Sequence, residues 1–446
     1  MIKEDFNNFC NNIKLDNLDD MQTTVKGITK KLNKHYYDMD DDESNMYIVG
    51  SVGRTTAIKN TSDLDILFDL PKSVYDRIND NEGNKQSQLL QEVKNVLKEK
   101  YPNTDLKGDG QVVVINFTKY TVELVPGFKQ DDESFKYPDT HDNGSWKITN
   151  PIPEIDECKK KDDDTNGNFT NICHMLRAWK NKKGFKFKGL LIDTLTNNFL
   201  EEKTEYQNCG YEDYLNLVKE VFKFLKDEDK NQSYWFAIGS NQKIYNDDGG
   251  RFISKAKKAY NKIKDLNEDS KNLNKELRSL FGKEFPKKQD EEEKKEQYTY
   301  DHTEQFIEDR YPVDIVLNLR LDCIVTQDGF RPASLRDMIR NHVFLKRDKK
   351  LEFYIVNKRD IMNFGVDKIL WKVKNEGDLA KQKNDIRGQI IETNSYTHTE
   401  YSKFDGDHYV EAYIIKNNVC IAKGKIDVPI RVWMKVGKKW ILNWIW

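Results

Sequence analysis

Residues 46 to 51 read Met-Tyr-Ile-Val-Gly-Ser, and twelve positions after Ser51 the chain continues Asp63-Leu64-Asp65-Ile66-Leu67-Phe68-Asp69. The second run alternates acidic and apolar residues and is rich in strand formers, so it predicts a strand. On a strand, residues two apart face the same way, about 6 to 7 Å apart along the backbone. Asp63 and Asp65 then share one face while Leu64 turns to the core. Carboxylates so placed can share a pair of divalent ions roughly 3.5 to 4 Å apart. An all-oxygen donor set suits Mg2+, which also takes phosphate oxygens, so a nucleoside triphosphate is the natural substrate. The apolar run Met46–Val49 predicts a second strand. Gly50-Ser51 after it gives a turn where the backbone can approach phosphate, with the Ser51 hydroxyl and nearby N–H groups as donors.

An isolated Asp-x-Asp pair is usually a solvated strand edge. Here a third acid appears where a neighbouring strand should be. Gln111–Phe117 and Thr121–Pro126 predict two strands around a Lys119-Tyr120 turn, with Glu123 on the second.

Gly50-Ser51 with Arg54-Thr55-Thr56-Ala57-Ile58, then Ser62-Asp63-Leu64-Asp65, then Glu123-Leu124-Val125-Pro126-Gly127-Phe128, resembles the polymerase-β-like nucleotidyltransferases. Within them it resembles the bacterial CD-NTases, or SMODS nucleotidyltransferases, relatives of cyclic GMP-AMP synthase and 2′-5′-oligoadenylate synthetase. The resemblance implies an α+β fold: a polymerase-β-like core of mixed sheet plus helical lobe, with a C-terminal β-sandwich-like domain. It implies that Asp63, Asp65 and Glu123 are catalytic and bind two Mg2+ (or Mn2+) ions, Glu123 nearest the attacking hydroxyl, and that Gly50 and Ser51 hold the donor triphosphate. Many relatives carry aspartate at the third place; glutamate is one methylene longer. The implied reaction joins nucleoside or deoxynucleoside triphosphates, with ATP or dATP as donor, into a cyclic or linear oligonucleotide second messenger and releases pyrophosphate. The implied setting is bacterial anti-phage defence, beside a separately encoded effector for which a membrane protein is one option.

Downstream, Tyr137-Pro138-Asp139-Thr140 and Trp146–Pro151 resemble the family's passage from catalytic sheet to helical lobe. Phe169, Ile172, Met175, Leu176 and Trp179 then fall at helical spacing, with Arg177 and Lys180 on the other side. In relatives a lysine just after this tryptophan contacts the donor phosphates, which makes Lys180 the candidate. A solvated basic helix end accounts equally well for any one of Lys180, Lys182, Lys183, Lys186 and Lys188.

Leu18, Met21, Val25, Ile28 and Leu32 predict an amphipathic helix behind the sheet. Asp38–Asn45 and Lys159–Asn168 read as solvated loops. Leu190–Leu200, Tyr211–Asp227 and Phe252–Phe281 continue the helical pattern. The expected organisation is a nucleotidyltransferase domain over 1–302, with its catalytic sheet at about 45–150, helical lobe at about 165–282 and charged linker over 283–302. A β-rich domain over 303–446 follows, entered through a connecting segment at 303–350 that starts its first strand at Pro312–Leu319. Leu351–Val356, Ile369–Val373, Arg387–Ile391, His408–Ile415, Val419–Lys423 and Ile426–Val432 predict the short strands of a sandwich.

Trp371–Asn375 with Gly377 and Ala380, Arg387–Ile390 and His408–Ile415 resemble the adenylyl/guanylyl cyclase and SMODS C-terminal sensor domain, AGS-C. That resemblance makes Trp371 a candidate for a base face and Arg387 for a phosphate. Core tryptophan and a strand-turn cap are the plainer readings.

With 446 residues, 33% charged, and a formal net charge of only −2, the chain has room for two or three domains and no global bias toward long nucleic acids. Its six dispersed cysteines include no Cys-x-x-Cys, so reduced thiols and no zinc module are expected. The polar start and the lack of an 18-residue apolar run predict a cytoplasmic protein without membrane insertion. Two other readings stay open: a terminal nucleotidyltransferase acting on an RNA or protein acceptor, and a catalytically silent nucleotide-binding regulator.

Overall fold

The structure, a computed structural model, describes residues 2–287, 304–327, 329, 331–341, 343, 345, 349–375, 387–402, 407–429, 434–436 and 439–441. It divides into two compact units, Met1–Lys183 with Phe187–Pro286, and Gly184–Lys186 with Lys287–Trp446. The charged run 289–296 lies outside the described residues.

The first unit opens with helices α1 (Ile2–Asn12) and α2 (Leu18–Tyr36), then strand β1 (Met46–Ile48), the one-turn helix α3 (Gly50–Gly53) and strand β2 (Asp63–Asp69). Helices α4 (Lys72–Asn79) and α5 (Lys85–Lys100) lead to β3 (Asp105–Asp109), β4 (Val112–Asn116) and β5 (Thr121–Lys129). Strand order is β1-β2-β5-β4-β3, and a hairpin of β6 (Phe135–Asp139) and β7 (Ser145–Thr149) extends from β5. β2 and β5 run parallel and the remaining neighbours antiparallel, so the sheet is mixed. The period-2 pattern explains its core. Leu64, Ile66, Val113, Ile115, Val122 and Leu124 are fully buried and pack with Met21, Ile28 and Leu32 of α2 and Leu89, Val93 and Leu97 of α5. Each such side chain contributes roughly 1.5 to 3 kcal/mol of burial free energy. The carboxylates of β2 and β5 necessarily take the opposite face.

Six helices follow: α6 (Pro151–Asp164), α7 (Asn168–Lys183), α8 (Gly189–Glu202), α9 (Tyr214–Asp227), α10 (Arg251–Ile263) and α11 (Leu273–Phe281). The segment read as a loop from Lys159 is helical through Asp164. Prolines in its first turn start α6, and Ile155 and Cys158 anchor one face, so its Lys-Lys-Lys-Asp-Asp-Asp run decorates the solvated side. The helical pattern at 252–281 breaks into α10 and α11, and between α9 and α10 stands a hairpin of β8 (Tyr234–Phe236) and β9 (Lys243–Tyr245) that periodicity did not reveal.

In the second unit β10 (Leu321–Thr326), β11 (Ala333–Ser334), β12 (Lys350–Ile355) and β15 (Thr397–Tyr401) form one antiparallel sheet. β13 (Lys368–Asn375), β14 (Arg387–Glu392), β16 (Asp407–Lys416) and β17 (Val419–Pro429) form a second, and Met434–Val436 pairs with Lys439–Ile441 in a two-stranded ribbon. Inward residues of both, among them Cys323, Phe353, Trp371, Val410 and Val428, share one core, which makes a sandwich. Asn417 and Asn418, at φ 49° and 63°, turn β16 into β17. Two expectations needed correction. Pro312–Leu319 is not a strand: Val313 makes a single bridge to Cys420, and the strand begins at Leu321. Val419–Lys423 and the strand placed from Ile426 are one continuous β17, Val419–Pro429, in which Gly424 pairs with Ala412 rather than turning; residues 430–432 lie outside the described residues.

Candidate functional site

Parallel pairing of β2 and β5 sets Asp65 beside Glu123 and Asp63 beside Thr121. Neighbouring strands lie about 4.8 Å apart, so Asp63, Asp65 and Glu123 occupy one patch of one sheet face. All three are half-buried, flanked by wholly buried Leu64, Val122 and Leu124 on the other face.

The turn after β1 reaches the same patch. The Val49 N–H donates to the Asp65 carbonyl at 2.9 Å, and the chain then enters α3 through Gly50 at φ +62°. A Cβ built on Gly50 would fall 1.8 Å from Asp65 Oδ2. Glycine is thus required twice, for its left-handed backbone and because the Asp65 carboxylate fills the space a side chain would need. Ser51 follows in the first turn of α3, whose N–H groups have no intrahelical acceptors.

The oxygen-only set of Asp63, Asp65 and Glu123 fits a hard cation, and the Gly50 cradle shows one carboxylate held at the mouth of the α3 turn. Among the described residues no three His, Cys, Asp or Glu side chains converge tightly enough to form a preformed metal cage.

Behind α3 lies a buried ionic cluster. Asp193 of α8, with no exposed side-chain surface, meets Arg54 Nε at 2.9 Å, Arg177 Nη1 at 2.7 Å and the Thr56 hydroxyl at 3.1 Å. Burial pushes its carboxyl up, but the Arg177 and Arg54 guanidiniums more than offset that and hold it below the usual carboxylate range. Arg54 also approaches Glu154 of α6 at 3.6 Å, and Glu154 accepts from the Ser240 hydroxyl at 2.8 Å. The loop leaving Gly50-Ser51 is therefore fastened to α6, α7 and α8. One turn from Arg177, His174 is buried and its imidazole is pushed down to about 4 by burial and by the Arg177 charge.

Arg177 and Lys180 do not face solvent as a basic helix side; both are buried on α7. Arg177 belongs to the Asp193 cluster, and Lys180 lies one turn further along the same helix. Reading α7 as one-sided missed this, because its buried residues encircle the helix. Asp193 was legible only as a lone acid inside the apolar run Leu190-Leu191-Ile192-Asp193-Thr194-Leu195.

In the second unit Trp371 is buried, donates its indole N–H to the Ser395 carbonyl at 2.9 Å and stacks on His398, so it offers no face to a base. Arg387 is held bidentately by Glu400 at 2.9 Å, the pairing of a strand-end clasp rather than of a phosphate receptor. All six cysteines are free thiols. No helix among the described residues is long and apolar enough to cross a membrane.

Residues 1–162 match the family profile of the Second Messenger Oligonucleotide or Dinucleotide Synthetase domain, SMODS. Residues 301–431 match that of the Adenylyl/Guanylyl and SMODS C-terminal sensor domain, AGS_C. No curated protein sequence matches the chain. Among similar solved structures, Escherichia coli MS115-1 CdnC in complex with HORMA-deltaN shares 16% identity over 64% of this chain and 98% of its own, with a TM-score of 0.49. Escherichia coli DncV in its 3′-deoxy GTP bound form shares 12% over 61% and 93%, at 0.46. The CdnE c-di-GMP synthase of Capnocytophaga granulosa shares 16% over 55% and 82%, at 0.43. With both family profiles matched in this order, the chain carries a SMODS nucleotidyltransferase domain followed by an AGS_C sensor domain.

Proposed function

We propose that the first unit is a divalent-metal-dependent synthetase that joins nucleoside or deoxynucleoside triphosphates into a cyclic or linear oligonucleotide messenger, releasing pyrophosphate. The observation that carries the proposal is the side-by-side register of Asp65 and Glu123 on parallel strands, with Gly50 packed against the Asp65 carboxylate. Asp63, Asp65 and Glu123 would hold two Mg2+ or Mn2+ ions. Bound there, the ions would lower the pKa of the attacking hydroxyl and offset charge on the leaving pyrophosphate. Gly50, Ser51 and Lys180 bind the donor triphosphate: backbone N–H groups and the Ser51 hydroxyl meet its oxygens, and the Lys180 ammonium supplies charge. Glu123, one methylene longer than aspartate, reaches toward the acceptor hydroxyl. The Arg54–Asp193–Arg177 cluster keeps the turn registered against the helices, which fixes donor orientation. The messenger's setting in this reading is cytoplasmic anti-phage signalling through a separately encoded effector. Residues 1–302 make the messenger, and residues 303–446 form the β-rich sensor.

The test incubates the purified chain with each labelled ribo- and deoxynucleoside triphosphate and Mg2+ or Mn2+. A new phosphodiester product formed without added acceptor supports the proposal. Labelling only of added RNA or protein would establish a terminal transferase instead, and binding without turnover a silent regulator.

A further inference from the structure

The hairpin of β8 and β9 has an open edge. Ala237 N–H donates to the Gln242 carbonyl at 2.8 Å and Asn246 N–H to the Ser233 carbonyl at 2.9 Å, which fixes Ser233, Trp235 and Ala237 as the residues bonded across to the β9 side. Tyr234, Phe236 and Ile238 alternate with them and direct their backbone groups away from β9. On that side the Ile238 N–H reaches the Thr194 hydroxyl of α8 at 3.1 Å, and the Tyr234 carbonyl accepts from the Gln232 side chain at 2.9 Å. The Tyr234 N–H and both backbone groups of Phe236 meet no protein partner among the described residues.

Between this edge and α8 lies a groove of about 770 Å3. Its opposite side continues from Thr194 along one face of α8 through Asn197, Asn198 and Glu201, and includes Glu157 of α6. Asn197 donates to Glu201 at 3.2 Å, while its own amide oxygen is shielded and accepts nothing among the described residues. The lining holds two carboxylates and neither lysine nor arginine. Lys160 stands 3.7 Å from Glu157 and Lys161 3.3 Å from Glu201, but those carboxylate side chains stay 37% and 60% exposed and are held weakly. No residue of the candidate synthetase site lines the groove.

Folded proteins blunt an open edge with lysine, proline or a bulge. β8 reads Tyr234-Trp235-Phe236 and uses none of these. On its outer face Tyr234 meets Phe236 and Tyr245, with ring centres 5.3 and 6.3 Å away, and those two residues are 56% and 61% exposed. An extended chain presents N–H and C=O groups at the spacing of a strand edge. By its two-residue period, such a chain sets some side chains beside Tyr234 and Phe236 on the aromatic face. It turns the intervening ones into the groove, where Glu157 and Glu201 favour lysine or arginine and repel phosphate. We infer that the groove receives an extended segment of a partner protein, which adds to β8 as a third strand and carries basic side chains at alternate positions. This goes beyond the synthetase reading and stands without it.

The test titrates the full chain with a capped heptapeptide of alternating valine and arginine, read by calorimetry and by amide exchange. One control peptide has glutamate in place of arginine. The other keeps sequence and charge but is N-methylated at its valines, whose amides would face β8. The first peptide should bind at least tenfold more tightly than either control and slow exchange of the Phe236 amide at least tenfold. Phe236→Pro removes the outward N–H without removing a bond to β9 and should weaken binding at least tenfold, whereas Phe236→Ala should stay within threefold. Glu201→Lys should weaken it at least fivefold. Should the proline variant not fold, the methylated peptide decides on the wild type alone. Equal binding of that peptide, an unprotected Phe236 amide, or no binding of the first peptide overturns the inference.

Discussion

Gly50→Ala isolates what the turn does for Asp65. Alanine at φ +62° carries a left-handed penalty of about 1 to 2 kcal/mol, and its Cβ would sit 1.8 Å from Asp65 Oδ2. Ordinary contact begins at 3.4 Å, so the carboxylate must retreat by about 1.6 Å or the turn must shift as far. Gly167 provides the control. It too has a positive φ, +85°, but nothing lies within 4 Å of its would-be Cβ. Gly167→Ala should lose about 1 to 2 kcal/mol and Gly50→Ala at least as much because of the added clash, a drop of about 2 to 8 °C in melting temperature for the control. Only Gly50→Ala should lose synthesis, by on the order of a hundredfold, because a displacement near 1 Å at a reacting centre costs that much. The assay is pyrophosphate release from triphosphates, run on both variants below their melting temperatures. Gly50→Ala retaining activity within threefold of Gly167→Ala would refute the argument that the turn positions Asp65.

Asp63→Asn or Asp65→Asn should abolish turnover while the melting temperature holds or rises, since close carboxylates repel until cations arrive; near-normal product from either variant removes that residue from the site. Asp193→Asn leaves the buried Arg177 guanidinium without its anion and Arg54 with only Glu154, and should cost about 3 to 5 kcal/mol in urea unfolding; a loss under 1 kcal/mol would show that water reaches the cluster. His174 is held neutral with its pKa at about 4, so below pH 6.5 the unfolded chain gains a proton that the folded chain refuses. Its contribution is full above pH 6.5 and falls by roughly 3 kcal/mol as pH drops to 4. His174→Gln should flatten the stability profile across that window, and an unchanged slope in urea titrations at pH 7 and 4.5 would count against it.

The strands bearing Asp63, Asp65 and Glu123 were legible because acid and apolar residues alternate there, and a two-residue period permits one assignment of faces. The α2 helix was equally plain from Met21, Val25, Ile28 and Leu32. Asp193 was not, because a lone charge in an apolar helix carries no sign of partners 139 and 16 residues away. The β8–β9 hairpin escaped notice because three-residue strands are too short for periodicity to register. Lys159–Asp164 misled because charge runs resemble loops until the buried Ile155 and Cys158 fix which side of the helix they decorate. Trp371 and Arg387 were ligand candidates through the AGS-C resemblance, and the structure favours the plainer readings; the Ser395 and Glu400 partners that decide this lie on the next segments, 24 and 13 residues on, where local pattern does not reveal pairing.

The parity of β5 ties chemistry to folding fidelity. Sliding that strand by one position would turn Glu123 into the hydrocarbon interior and push Val122 and Leu124 into water, a change that penalises the whole sheet. A chain that has sealed its interior has therefore also aligned its acids. Because Asp65 and Glu123 come from segments separated by two helices and two strands, the paired acids exist only where this non-local strand pairing has closed.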